Sequence, residues 1–241
     1  MLEQSEQWLK RKCYQPHGAY LRPFAPNPAW KEASVFIVGL NPSTPFREEF
    51  ESYDHYWDSL TRNPEHYYRA YYHKYQRRED QKSRTAKTIS GLVELLKPLN
   101  VLITNVCAYP TPNPKLIPKA IRQEAIDERI LVSLITVCQP KVLLFHGREA
   151  RVFADKYFKV KLDPYIEPAK QFTIAYLPNT DSPTRLFAYH HFIGRVEKHS
   201  VMNERLKQFA VQMQAAINEN RLQSDNSCAE SSLAQKLHVK L

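Results

Sequence analysis

Four short runs of apolar residues constrain the fold of this chain more than any other feature. They are "SVFIVGL" at 34–40, "NVLITNV" at 100–106, "KVLLFHG" at 141–147 and "FTIAYLP" at 172–178. Each run is rich in Val, Ile, Leu or Phe and is ended by Gly, Pro or Asn, which is typical of strands. Because the runs are almost continuously apolar, they favour a parallel sheet that is covered on both faces.

Helical patterns separate these runs. The segments 83–99 and 118–138 carry apolar residues at spacings of three and four and predict amphipathic helices. The segment 195–220 predicts a terminal helix that packs on the body of the protein. The sequence therefore predicts an α/β fold of three layers, α/β/α, with a central, mostly parallel four-stranded sheet.

The length of the chain suits one domain with additions. With 241 residues and 43% hydrophobic content, we expect a single domain over 1–220. A Tyr- and Arg-rich insertion at about 50–84 departs from the alternation, and the polar tail at 221–241 is expected to be partly disordered. No apolar stretch approaches the roughly 20 residues of a membrane span, and the N-terminus lacks the order of a signal peptide. We therefore expect a cytoplasmic monomer without membrane contact.

The cysteines and the charge narrow the class of partner. The four cysteines, Cys13, Cys107, Cys138 and Cys228, form no C-x-x-C pair. We therefore expect reduced thiols, with no metal and no cofactor. A net charge of +9 favours a polyanionic partner, since Lys and Arg that neutralise phosphates release counterions.

The insertion gives a second reason to consider nucleic acid. Its segment "HYYRAYYHKYQRR" at 66–78 interleaves aromatic rings with cations. Such a surface can stack on bases and hold phosphates. The alternative is an amphipathic helix whose tyrosines pack on the body of the protein.

Polar residues follow the predicted strands where ligands usually bind. In open α/β sheets the binding crevice lies beyond the carboxyl ends of the strands. Asn41, Asn105 and Asn179 lie at the carboxyl ends of three of the predicted strands. We therefore expect the functional site at this edge of the sheet.

Four motifs together resemble the uracil-DNA glycosylase superfamily. They are "GLNPS" at 39–43, "LITNVCAYPTPNPK" at 102–115, "PKVLLFHGREA" at 140–150 and the loop after "AYLP" at 175–178. Their order and spacing carry the resemblance, which covers about 34–195. It implies an enzyme that flips a base out of DNA and hydrolyses its N-glycosidic bond without a cofactor, leaving an abasic site in base-excision repair or antiviral defence.

By this resemblance, the first motif holds the attacking water. The reaction passes through an oxocarbenium-like sugar, so a site must orient water and accept negative charge on the departing base. Asn41 takes the water-holding position, and Gly39, Leu40 and Pro42 form the loop around it, with Pro42 restricting the Asn41 backbone. The alternative is an Asn-Pro turn whose side chain caps the following segment.

A carboxylate close to the first motif is a second catalytic candidate. Asn41 cannot accept a proton, whereas "REEFES" at 47–52 places Glu48, Glu49 and Glu51 nearby. Glu48 is the preferred candidate for a base. The alternative is a solvated helix start.

The second motif is expected to read the base. The Asn105 carboxamide offers one donor and one acceptor edge, which can pair with the edge of a flipped pyrimidine. A strand-end asparagine that bonds local backbone is the alternative. For stacking on the base we prefer Tyr53 over Phe46 and Phe50, because in the family the stacking ring lies well into this loop.

The fourth motif departs from the His-Pro-Ser or Asn-Pro-Ser of the family and reads "LPNTDSPTRLFAYHH" at 177–191. Asn179 is expected to contact the base oxygen, with His190 or His191 as the alternative. Two further roles are assigned by resemblance. Ser182 and Thr184 are expected to contact phosphates, and Arg185 or Leu186 to enter the gap left by the base.

The sequence leaves the substrate and one rival class open. Uracil, a mispaired thymine and a modified pyrimidine are all compatible with an altered loop after the first motif. A nucleic-acid-binding module without catalysis, or a hydrolase of free nucleosides or nucleotides, is the rival interpretation.

Overall fold

The computed structural model describes residues 2–76, 83–119, 130–163, 173–177, 183–190, 192 and 201–218. A five-stranded sheet forms its centre, with the spatial order β2-β1-β3-β5-β4. The strands are β1 (Val35–Gly39), β2 (Val101–Asn105), β3 (Val142–His146), β4 (Thr173–Tyr176) and β5 (Pro183–Tyr189).

The sheet has one strand more than the sequence predicts. Strands β2, β1, β3 and β5 are parallel, and β4 pairs with β5 in the antiparallel direction. The first three predicted strands are confirmed and are parallel. The fourth predicted run is an antiparallel strand at the edge of the sheet, where Ile174 and Tyr176 are exposed. The extra strand, β5, occupies the position beside β3.

Helices cover the sheet. The described ones are α1 (Leu2–Cys13), α2 (Tyr53–Thr61), α3 (Pro64–Tyr75), α4 (Arg84–Leu95), α5 (Ile130–Cys138), α6 (Arg148–Phe158) and α7 (201–218). Short 3-10 turns lie at Trp30–Glu32 and Pro114–Leu116. Helices lie within all three predicted segments: α4 ends at Leu95, four residues before the end of the segment 83–99, α5 lies within 118–138 and α7 within 195–220.

The two faces of β1 show why the layers form. Phe36 and Val38 are fully buried in a cluster with residues of α1, α2, α3, α5 and α6. Val35 and Ile37 point to the opposite face and are buried with residues of α4 and α7. Burying each of these side chains contributes about 1.5–3 kcal/mol. Both faces of the sheet are therefore covered, which gives the predicted three layers.

The insertion folds as two short helices. Helix α2 starts after Ser52, whose hydroxyl accepts a hydrogen bond from the His55 backbone N–H. Helix α3 starts with Pro64 at its first turn and ends at Gln76, which has a left-handed backbone. Tyr67 is buried whereas Tyr68 is exposed, so the helix both packs on the body and presents tyrosine to solvent.

The thiols agree with the expected reduced state where they are described. Cys13, Cys107 and Cys138 are thiols rather than disulfides, and the first two are buried. Burial raises the pKa of Cys13 and raises that of Cys138 to about 12. Cys228 lies outside the described residues. Across the described ranges, no group of His, Cys, Asp and Glu could hold a metal ion, and no helix is long and apolar enough to cross a membrane.

Candidate functional site

Four parallel strands end at the same edge of the sheet. Gly39 pairs with Asn105 across β1 and β2, and His146 pairs with Tyr189 across β3 and β5. The pairing of Val38 with Phe145 sets Gly39 beside His146. The structure therefore brings together five residues at this edge, which we name the strand-end cluster: Gly39, Asn41, Asn105, His146 and His190.

Gly39 lies where two polar side chains meet. A Cβ atom on Gly39 would lie 2.9 Å from the Asn105 Oδ1 atom and 2.9 Å from the His146 Nε2 atom. Real Cβ atoms essentially never approach other heavy atoms so closely. A methyl group at this position would therefore displace one or both side chains, although the Gly39 backbone is that of an ordinary strand.

The loops after β1 and β2 continue the pairing of their strands. Backbone hydrogen bonds of 2.8–2.9 Å join them at three points. The pairs are Val106 N–H to Gly39 O, Cys107 N–H to Leu40 O and Thr111 N–H to Pro42 O. The predicted residues Gly39, Leu40 and Pro42 therefore lie in a loop that the second motif holds in place.

Asn41 is fixed between these two loops. Its Nδ2 group donates to the Pro42 carbonyl and to the Thr111 carbonyl, each at 3.0 Å. This bonding agrees with the capping alternative. It also leaves Oδ1 as the atom of the carboxamide that can accept a hydrogen bond from a water molecule, so the water-holding role stays a prediction.

Asn105 directs its Oδ1 atom over Gly39 and is half-buried. Among the described residues, no protein group forms a hydrogen bond with its carboxamide, which is the bonding that the local-capping alternative requires. The side chain is therefore placed to present its donor and acceptor edge to a ligand.

His146 belongs to the cluster, although sequence reasoning gave it no role. It is 7% exposed, and its ring packs on the Phe192 ring with centroids 4.5 Å apart. The signal was present in the sequence, because a histidine directly before a glycine ends the third buried strand just as Asn105 ends the second. Its imidazole is the second polar group that reaches over Gly39.

His190 follows β5 at the same edge. It is 6% exposed, and its ring stacks on Tyr189 with centroids 4.2 Å apart. Since Tyr189 also contacts Phe192, one aromatic group supports both imidazoles. The predicted Asn179, Ser182 and His191 lie outside the described residues. Of the fourth-motif candidates, His190 is thus the one that the structure places in the cluster.

Three predicted residues of the fourth motif lie at the opposite edge of the sheet. Arg185 pairs with Val142 at the start of β3, and its Nη1 group donates to the Ala216 carbonyl at 2.7 Å. Thr184 is buried and donates to the Pro140 carbonyl, and Leu186 is fully buried. This corrects the predicted phosphate role of Thr184 and the gap-filling role of Arg185 and Leu186, because these residues lie in a strand that begins far from the cluster. The phosphate role of Ser182 stays a prediction.

The predicted stacking rings are used in packing. The Tyr53 hydroxyl donates to the Lys10 carbonyl of α1, and its ring contacts Tyr14 and Tyr20 at centroid distances of 5.2 and 5.0 Å. Phe46 and Phe50 are buried and contact each other edge to face. The structure does not bring any of the three to the strand-end cluster.

The carboxylates after the first motif lie outside the cluster as well. Glu48 and Glu51 are exposed, and the Glu49 carboxylate accepts hydrogen bonds from Lys74 Nζ at 2.5 Å and from the Arg47 backbone N–H at 3.1 Å. Burial alone raises the pKa of Glu49, but these bonds outweigh it and hold the pKa below its usual value. Glu48 is therefore a solvated carboxylate, although it precedes α2 and does not lie at a helix start. Its role as a base stays a prediction.

Comparison with known proteins gives the cluster no further assignment. No protein-family model matches the chain, and no curated protein matches it. The interpretation of the cluster therefore rests on its geometry and on the resemblance of the four motifs.

Proposed function

We propose that this protein is a DNA glycosylase with a fold of the uracil-DNA glycosylase type. The observation that supports it most is the convergence of Asn105 Oδ1 and His146 Nε2 over Gly39 at the carboxyl edge of the sheet. A carboxamide and an imidazole side by side, over a residue without a side chain, suit the polar edge of a planar base.

The residues of the cluster take separate roles in this proposal. The Asn105 carboxamide pairs with the edge of the flipped pyrimidine. An imidazole N–H of His146 or His190 donates to a base oxygen, where negative charge grows as the bond breaks. Asn41 Oδ1 orients the water.

Most of the bond breaking falls to the departing base. The bond between C1′ and the base nitrogen breaks with both electrons going to the base, and the water oxygen then bonds C1′. Asn41 cannot take the proton of the water, so that proton leaves to solvent. This arrangement favours a base that is a good leaving group, such as uracil or an electron-poor modified pyrimidine.

The charge of the whole chain supports DNA as the partner. A net charge of +9 attracts a polyanion, and this attraction weakens as the salt concentration rises. Action in base-excision repair or antiviral defence, in the cytoplasm and as a monomer, belongs to the same proposal.

The experiment is a panel of oligonucleotides that contain uracil, a G·T mismatch or a modified pyrimidine. Each is incubated with purified protein and scored for alkali-labile abasic sites, with Asn105→Ala as the matched control. We expect base release from at least one substrate by the wild type and at least a hundredfold less by the variant. DNA binding without release would favour the non-catalytic module, and release from free nucleosides alone would favour the nucleoside hydrolase.

A further inference from the structure

Arg22 lies beside the strand-end cluster, outside every predicted motif. The chain around it runs antiparallel to β2, with Phe24 bridged to Thr104 and the Ala25 N–H bonded to the Ile103 carbonyl at 2.8 Å. One step further, the Arg22 N–H donates to the Ala108 carbonyl at 2.8 Å. Since Ala108 follows the carboxyl end of β2, Arg22 lies at the same edge of the sheet as Asn105.

The Arg22 guanidinium lies near tyrosines of α2 and α3. The group lies over the Tyr67 ring at 5.5 Å from its centroid. Four further tyrosines lie within electrostatic range of the guanidinium: Tyr56, Tyr68, Tyr71 and Tyr75. Together with Tyr67 we name them the tyrosine group. The Tyr75 hydroxyl donates to Thr44 Oγ1 at 3.2 Å, so the tyrosine group reaches the loop that carries Asn41.

The charge of Arg22 is not balanced within the described part of the chain. There, no carboxylate pairs with it and no protein acceptor bonds its guanidinium. Arg22 is half-buried, and burial lowers the pKa of its guanidinium. Phenols have an ordinary pKa of about 10, and burial raises the pKa of Tyr56 further, so these phenols are neutral at pH 7 and supply dipoles rather than a counter-charge.

Arg47 gives a contrast within the same region. Its guanidinium also lies over a tyrosine, Tyr20, at 4.4 Å from the ring centroid. Its Nε and Nη2 groups, however, donate to the Gly18 and Gln15 carbonyls. Arg47 therefore joins two loops, whereas the Arg22 guanidinium has no such carbonyl acceptor among the described residues.

We propose that Arg22 and the tyrosine group bind a phosphate group of the nucleotide whose base enters the strand-end cluster. A guanidinium presents parallel N–H donors that match two phosphate oxygens, and phenol O–H groups add further donors. Stacking on Tyr67 leaves the edge of the guanidinium open for this contact. The proposal rests on the proposed function for the position of the base. The phosphate belongs to a DNA strand or to a free nucleotide, and the experiment separates these sources.

The first test is the salt dependence of DNA binding. Arg22→Met keeps the aliphatic packing and removes the charge, and Lys207→Met is the matched control, since Lys207 is exposed on α7 beyond the opposite face of the sheet. A fluorescent oligonucleotide is titrated at several salt concentrations. We expect Arg22→Met to flatten the slope of log K against log salt by about 0.7–0.9, the value of one phosphate contact, and Lys207→Met to leave it unchanged. Equal slopes in the wild type and Arg22→Met would overturn the proposal.

The second test separates binding from a structural role. Because Arg22 is half-buried and no carboxylate pairs with it in the described part of the chain, Arg22→Met should unfold at a temperature no lower than the wild type. Inorganic phosphate, at matched ionic strength against chloride, should raise the unfolding temperature of the wild type and not of Arg22→Met. A lower unfolding temperature for Arg22→Met, with no phosphate response in the wild type, would make Arg22 a structural residue and reject the site. Arg22→Lys keeps the charge without the fork and should bind oligonucleotide several-fold more weakly at an unchanged slope.

Deoxythymidine monophosphate and thymidine identify the source of the phosphate. If the monophosphate competes with the oligonucleotide and thymidine does not, a free nucleotide is also a ligand; if neither competes, the phosphate is that of a strand. These readouts need no base excision. If DNA binding depends on Arg22 but no base is released, the glycosylase proposal is rejected and the phosphate site is supported. If bases are excised but Arg22→Met leaves the salt slope unchanged, the phosphate site is rejected and the glycosylase proposal is supported.

Discussion

The two halves of the strand-end edge differ in how they are built. At the β1 and β2 ends, three backbone hydrogen bonds join the loops and Asn41 bonds both of them. At the β3 and β5 ends, the imidazoles of His146 and His190 are supported by stacking on Phe192 and Tyr189 instead. One half is therefore held by directional bonds and the other by aromatic packing, and the two halves should respond differently to substitution.

The largest effect is expected where the halves meet. In Gly39→Ala, the new methyl group would collide with both Asn105 and His146, so both side chains must move. Since a displacement of about 1 Å can cost a hundredfold in rate, we expect excision to fall by more than a hundredfold while unfolding becomes easier by about 1–3 kcal/mol. Excision assays and chemical denaturation measure the two effects.

Gly91→Ala is the control for that substitution. Gly91 lies in α4, and a Cβ atom there would meet nothing within 4 Å. It should raise stability by about 0.5–1 kcal/mol and leave excision unchanged. If Gly39→Ala excised as fast as Gly91→Ala, the two polar atoms over Gly39 would have no part in the reaction.

The next effect concerns the bonded half. Asn41→Ala removes the orienting Oδ1 atom and the bonds to the Pro42 and Thr111 carbonyls. We expect excision to fall about a hundredfold and stability to fall by about 1–3 kcal/mol, with DNA affinity little changed. Full activity together with lower stability would leave Asn41 as a cap of the loop and nothing more.

The packed half gives a smaller effect on rate. His190→Gln keeps an N–H donor but loses the ring stacked on Tyr189, so we expect excision to fall about tenfold. Arg185→Met is the matched test at the far end of β5. It should excise at the wild-type rate and lose about 1–3 kcal/mol of stability with its bond to Ala216. If excision fell in Arg185→Met but not in His190→Gln, Arg185 would act on the substrate after all. Asn179→Ala tests the other residue predicted to contact the base oxygen.

The smallest effect tests the carboxylates after the first motif. Glu49→Gln removes an ion pair with Lys74 that is partly open to solvent, and such pairs contribute under about 1 kcal/mol. Because the pKa of Glu49 is lower in the folded protein, this stability is present above the pKa of the unfolded chain and is lost as pH falls through the folded value.

Wild type and Glu49→Gln should therefore differ in unfolding temperature at pH 7 and converge only at pH values below the folded pKa of Glu49, which is lower than its ordinary value. Glu48→Gln, at an exposed position, is the companion variant. Both should excise at the wild-type rate, and a large loss in either would restore a carboxylate as the catalytic base.

The sequence predicts the bonded half of the edge better than the packed half for a physical reason. Strands β1 and β2 are apolar runs that end at Gly39 and Asn105, so the positions of their ends can be predicted from the local sequence. Strand β5 contains Thr184 and Arg185 near its start and follows β4 after six residues, so local patterns merge it with the preceding loop. Its true position depends on pairing with β3, which is a long-range contact.

Two residues were missed because only the assembled sheet makes them neighbours of the site. Arg22 lies at this edge because residues 22–25 run antiparallel to β2. No hydrophobic periodicity in that segment predicts a strand there. His146 reaches Gly39 through the register of β1 against β3. Convergence of this kind depends on register, which no single segment encodes.

The order of the strands also bears on how the chain is made. Strand β4 leaves the ribosome before β5, yet β5 lies between β4 and the rest of the sheet. A nascent chain that ends at residue 177 therefore carries an edge strand that cannot yet dock, and it lacks His190. Synthesis of 183–190 completes both the sheet and the cluster in one step, so partial chains released earlier should be inactive toward DNA rather than weakly active.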